Sequence, residues 1–121
     1  MNLEALRATC AQKKGAEASY PFGEGTLVFK VMGKIFALMP DTVGDGDVPR
    51  LNLKCDPELA QILRQTYDAV KPGYHMNKRH WNTVHVDGTI PEDEILDMID
   101  HSYGLVVASL PKKSRLQLRK I

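Results

Sequence analysis

The stretch "TLVFKVMGKIFALM", Thr26 to Met39, decides the fold. Its two apolar segments, "TLVFKV" and "KIFALM", are each of strand length and draw on β-branched and aromatic residues, the types that suit a pleated, half-buried surface. Only Met32 and Gly33 separate them. So short a connection requires antiparallel pairing, and Gly33 supplies a backbone angle that other residues resist. The chain is thus built on an antiparallel sheet, and the remaining segments are read by how they join it.

Downstream, "PDTVGDGDVP" is a loop by its Pro, Gly and Asp content. "RLNLKC" then alternates cleanly. Leu51, Leu53 and Cys55 face one way, and Arg50, Asn52 and Lys54 the other, as in a strand with one wet face. "CDPELAQILRQTY" opens a helix sharply, with Asp56 as cap, Pro57 in the first turn and Leu59, Ile62 and Leu63 as the apolar stripe. "VKPGYHMNKRH" is a connection with a short strand or turn at its start, and "HWNTVHV" alternates as a strand closed by Asp87 and Gly88. A long helix follows "TIPEDE". Thr89 and Glu92 have capping-box spacing, and acids crowd the helix start, where the helix dipole favours them. Ile95, Ile99, Tyr103, Val106 and Leu110 run down one face until Pro111.

Upstream, Asn2 caps a helix in which Leu3, Leu6 and Cys10 share a face, ended by Gly15. "ASYPFG" is short and extended, and Pro21 suits a strand end. The expected fold is α+β and two-layered: an antiparallel sheet of five to six strands with three helices, in the order α-β(3–4)-α-β(1–2)-α. One domain spans residues 1–111, and a basic tail spans 112–121.

Composition bounds the function. The 121 residues are 43% hydrophobic and 26% charged. No apolar run nears the roughly 20 residues that cross a bilayer. The start of the chain lacks a basic region followed by an apolar one, so no secretory signal is read there. Two widely spaced cysteines, Cys10 and Cys55, suit a reducing cytoplasm better than a disulfide scaffold. Residues 112–121 hold five of the 16 cations and no acid, which leaves 11 cations against 15 acids elsewhere. A polyanion would therefore need a local patch, the tail, or both.

That local patch is "GYHMNKRHWNTV", Gly73 to Val84, inside an acid-free span from Asp68 to Asp87. His75, His80 and His85 are five apart, which suits neither a helical zinc pair nor a finger. No serine or cysteine sits in a nucleophile motif, and neither "FGEG" nor "VGDGDV" is a phosphate loop. The chain is read as non-enzymatic, with no catalytic residue, metal or cofactor. Lys54, Lys78 and Arg79 can meet phosphates; Asn77 and Asn82 can bond backbone or base edges; His75, His80 and Trp81 can stack or shape a groove. The competing uses are structural: Trp81 as core, Asn77 and Asn82 as loop and strand-end anchors.

Taken in order, "YPFG" (20–23), "LVFKVMGKIFAL" (27–38), "LNLKCDPELA" (51–60), "PGYHMNKRHWNTV" (72–84) and "MIDHSYGLVVASLPKK" (98–113) resemble the MmcQ/YjbR family. The resemblance implies a compact α/β domain akin to frataxin-like and secretion-chaperone-like shapes. It also implies DNA binding, by analogy with a "double wing" of β-hairpins in a phage transcription factor domain. The expectation is a cytoplasmic monomer that binds DNA through a polar sheet edge or wing. The alternative is a protein-interaction or chaperone-like adaptor for an unidentified partner protein. A deep pocket with convergent polar groups would instead mark a small-molecule binder.

Overall fold

A computed structural model describes residues 1–121. The elements follow in the order α1 (Leu3–Ala11), β1 (Ala16–Ser19), β2 (Thr26–Val31), β3 (Lys34–Pro40), β4 (Arg50–Lys54), α2 (Pro57–Thr66), β5 (Val70–Pro72), β6 (Trp81–His85), α3 (Glu92–Ser109) and α4 (Lys112–Arg119). The six strands form one antiparallel sheet ordered β1-β2-β3-β4-β6-β5. The β2–β3 hairpin turns at Met32 and Gly33, both with positive φ, a pattern matched to the twist of paired strands.

Caps place two helices as their sequence signals suggest. The Asn2 side chain accepts from the Ala5 amide, and Asp56 accepts from Glu58 and Leu59. The start of α3 differs. Thr89 gives both its amide and its hydroxyl to Asp87 Oδ1, so it cannot close a capping box with Glu92. Pro91 precedes the helix instead, without a side-chain cap, and Glu92, Asp93 and Glu94 load the first turn.

The helices cover one face of the sheet. Leu27, Phe29, Val31, Met39, Leu51, Leu53 and Val84 meet Leu6 and Cys10 of α1 and Ile95, Ile99 and Val106 of α3 in a single buried cluster. A bulge lets Phe36 enter this core beside Ala37, because Phe29 pairs with Ala37 and Lys30 with Ile35. Phe36 then packs edge-on against Tyr103, with ring centroids 5.3 Å apart. Beside the bulge, the buried Ser102 hydroxyl donates to the Phe36 carbonyl and accepts from the Lys54 amide, 2.6 and 2.9 Å away. Thus α3 supplies the partners where the β3–β4 ladder has ended.

The sequence reading had three helices; the structure has four. The basic stretch after Pro111 is helical, and α4 buries Leu118 in the core. Its seat is the α1–β1 turn: a Cβ added at Gly15 would lie 2.5 Å from Leu118 Cδ1. In α2 the expected stripe is also narrower. Ala60 is buried and Leu63 packs on the core, but Ile62 is exposed. No helix is long and apolar enough to cross a membrane.

Candidate nucleic-acid interface

Alternation along the strands settles which side chains leave the helix-covered face. Leu51 and Leu53 point into the core, so Arg50, Asn52 and Lys54 point away from it. Val84 points in, so Trp81, Thr83 and His85 point away. The register sets these groups side by side: Arg50 opposite His85, Asn52 opposite Thr83, and Lys54 opposite Trp81. On the edge strand, Lys71 lies opposite Thr83. The open face therefore carries Arg50 and Lys54 on β4 and Lys71 on β5, the two strands that flank β6. None of the three is in an ion pair; the two ion pairs of the chain are Arg7–Asp41 and Lys13–Asp100. By the same alternation the acid on this face is Glu17, at the far edge, opposite Lys30. The acids of α3 lie on the other side of the sheet.

Two loops wall a cleft of about 410 Å³ on this open face. Leu38, Arg50, Asn52 and Thr83 form its floor; Phe22 comes from one loop and Tyr74, His75 and Met76 from the other. Both walls are pinned. On one side the Tyr20 hydroxyl donates to Asp41 Oδ1 at 2.6 Å, and Arg7 reaches the same carboxylate from α1. The acceptor carboxylate holds the Tyr20 phenol above its ordinary value of 10.0. On the other side the Tyr74 amide donates to Thr83 Oγ1 at 2.9 Å, and that hydroxyl donates on to Asn52 Oδ1. Phe22 and Tyr74 are 66% and 63% exposed, large aromatic surfaces left in water beside the cations. His75 holds φ at 58°, a left-handed conformation rare for a residue other than Gly. Its ring centroid lies 4.0 Å from that of Tyr74.

The residues expected from sequence divide accordingly. Lys54 and Trp81 are neighbours on the open face, with Trp81 half-buried rather than core, and His75 lines the cleft. Arg79 is exposed, and no side-chain partner holds it. Lys78 and Asn77 work within the loop: Lys78 Nζ donates to the Gly73 carbonyl at 3.0 Å, and Asn77 Oδ1 accepts from the Arg79 amide at 3.0 Å. His80 is half-buried, and its carbonyl accepts from the Cys55 amide at 2.8 Å. Asn82 is a correction. It is 2% exposed and shares the inward parity of Val84, so it cannot reach a ligand on the open face. Of the expected residues, Lys54 and Trp81 occupy the open face of the sheet, while His75, Asn77, Lys78 and Arg79 lie in the loop between β5 and β6.

Arg50, Lys71 and Phe22 stand outside the set expected from sequence. Parity held a signal for Arg50, which alternates with Asn52 and Lys54. The α4 cations are elsewhere, since that helix packs near Gly15 and Val31 at the other end of the sheet. No three His, Cys, Asp or Glu side chains gather as a metal site. Burial pushes the Cys10 thiol up to about 12 and the Cys55 thiol up to about 11, so both are protonated at neutral pH.

The YjbR family model matches residues 11–105. The chain is similar to YbdF of Escherichia coli O157:H7, at 43% identity over 85% of this chain and 82% of that one. It is similar to YjbR of Escherichia coli K12, at 36% identity over 95% of both chains. Among solved structures, a Deinococcus radiodurans protein with a DUF419 domain superposes with a TM-score of 0.88 at 37% identity, covering 97% of this chain and 87% of that one. A Pseudomonas syringae protein does so with a TM-score of 0.74 at 30% identity, covering 88% and 99%. The chain therefore belongs to the YjbR family.

Proposed function

We propose that this chain is a non-enzymatic domain that binds a nucleic-acid strand across the open face of its sheet. The observation that carries the reading is the trio Arg50, Lys54 and Lys71, three cations without ion-pair partners on the two strands, β4 and β5, that flank β6. Phosphates give such a face affinity, and release of their counterions makes that affinity salt-dependent. Phe22, Tyr74 and Trp81 beside the cations favour a single strand over a duplex, because unpaired bases can stack on aromatic rings. Asn52 and Thr83, on the cleft floor, stand where a base edge would enter.

Titration of the ¹⁵N-labelled chain with a short oligothymidylate tests the site. Shifts should gather on β4, β5, β6 and residues 73–80 and spare α3 and α4. Shifts centred on α4 would place any binding on the C-terminal cations and reject the sheet face.

A further inference from the structure

The helix-covered side holds a second cleft, of about 360 Å³, where α2 and α3 stand apart above β4 and β6. Leu53, Leu59, Leu63, Val84 and Met98 give it an apolar lining. Its volume falls within the range of sites that enclose small organic molecules.

Asn82 lines this cleft and is 2% exposed. Arg64 Nε donates to Asn82 Oδ1 at 2.7 Å. That nitrogen can only donate, so the amide oxygen must face it and the amide NH₂ must face away. Asn82 Nδ2 is buried without a partner. A buried donor left unpaired is costly, and an acceptor entering the cleft would relieve that cost.

Charge narrows the ligand further. Glu94 and Asp97 line the α3 side, and neither is in an ion pair. Lys54 contributes to the lining from β4, but by strand alternation its ammonium lies on the other face of the sheet. Arg64 commits its guanidinium to Asn82, Lys78 and Trp81. His101 uses Nε2 to accept from the Asp56 amide at 3.2 Å. An anionic ligand would meet two carboxylates here, whereas a cationic one is attracted.

We propose that this cleft binds a small cationic amphiphile: an apolar or aromatic body between α2 and α3, a carbonyl or ether oxygen on Asn82 Nδ2, and an ammonium toward Glu94 and Asp97. The site is independent of the nucleic-acid reading, because Asn82 and the open face lie on opposite sides of the sheet.

Procainamide carries an aromatic ring, an amide carbonyl and a tertiary ammonium, and it serves as the probe. Titrated into the ¹⁵N-labelled full chain, it should saturably shift the Asn82 side-chain NH₂ and the amides of α2 and α3. Substituting both carboxylates, Glu94→Gln with Asp97→Asn, should weaken binding about fivefold to tenfold, about 1 kcal/mol or slightly more. Leu63→Trp, which fills the cleft, should abolish the shifts. The proposal is overturned if no saturable shift appears by about 10 mM, a ceiling above millimolar affinity. It is equally overturned if the carboxylate double variant binds as well as the parent, or if anionic 4-phenylbutanoate binds more tightly than procainamide. That double variant alters a solvent-facing side of α3, so the test stands even if Leu63→Trp does not fold.

Discussion

Arg64 of α2 points its Nε at Oδ1 of Asn82 in β6, 2.7 Å away, and its Nη2 reaches the carbonyls of Lys78 and Trp81. One guanidinium thus joins a helix, a strand and the loop that carries Tyr74, His75 and Arg79. Replacing it with Met keeps much of the aliphatic stem and removes every donor. Arg64→Met should destabilise the chain by about 2–3 kcal/mol in urea unfolding, since it strands a buried amide oxygen and frees the loop. Hydrogen exchange at residues 74–80 should quicken more than in α3.

Ser102 makes a comparable join inside the core. Its hydroxyl serves the Phe36 carbonyl and the Lys54 amide where those strands no longer pair. Ser102→Ala leaves both backbone groups unsatisfied and should cost about 2–4 kcal/mol, read from the urea midpoint at unchanged slope.

Two glycines should respond with opposite signs. A Cβ on Gly73 would sit 2.8 Å from Trp81 Cβ and 2.9 Å from the Trp81 carbonyl oxygen, with nowhere for the backbone to yield cheaply. Gly73→Ala should lose about 1–3 kcal/mol and disturb the β5–β6 pairing. Gly104 lies on the exposed side of α3 with nothing within 4 Å of an added Cβ. Gly104→Ala should gain about 0.5–1 kcal/mol, because it restricts the unfolded chain and suits a helix. Thermal melts of the two variants against the parent check both signs.

The buried thiols set an alkaline limit. Desolvation lifts Cys10 from 9.0 to about 12; the same cause, with Asp56 adding and Arg64 opposing, lifts Cys55 to about 11. The unfolded chain therefore releases these protons first. Their stabilising contribution is complete below about pH 9 and declines as pH rises toward the folded values. The parent should lose stability between about pH 9 and pH 11 more steeply than a variant with Cys10→Ala and Cys55→Ala. Urea unfolding across that range measures the two slopes.

Much of this fold is legible where one local rule dominates. The hairpin at Met32 and Gly33, the alternation of Arg50 to Cys55 and the Asp56 cap each follow from nearest-neighbour chemistry, and each stands in the structure. α4 was not legible, because it offers only Leu116 and Leu118 as apolar turns, and only Leu118 finds a seat, against Gly15 from the other end of the chain. The capping box at Thr89 failed because Asp87, two residues earlier, competes for the same groups. For the candidate site, "HWNTVHV" reads as a strand from its alternation, but its inward parity depends on which residues α3 covers. The hint was present: Asn82 alternates with Val84 and Val86, and Trp81 with Thr83 and His85. The cleft itself joins segments about fifty residues apart, Phe22 to Tyr74, and no local pattern connects them.

The most direct test of the nucleic-acid reading is the salt dependence of binding to a labelled oligothymidylate, compared between the parent and a variant with Arg50→Ala, Lys54→Ala and Lys71→Ala. Three phosphate contacts on a single strand predict a slope of log affinity against log salt of about −2, falling toward zero in the triple variant. A control with Lys112→Ala, Lys113→Ala and Arg115→Ala in α4 should keep the parent slope. Absence of binding at low salt, or a slope that the triple variant leaves unchanged while the α4 variant removes it, would contradict the account.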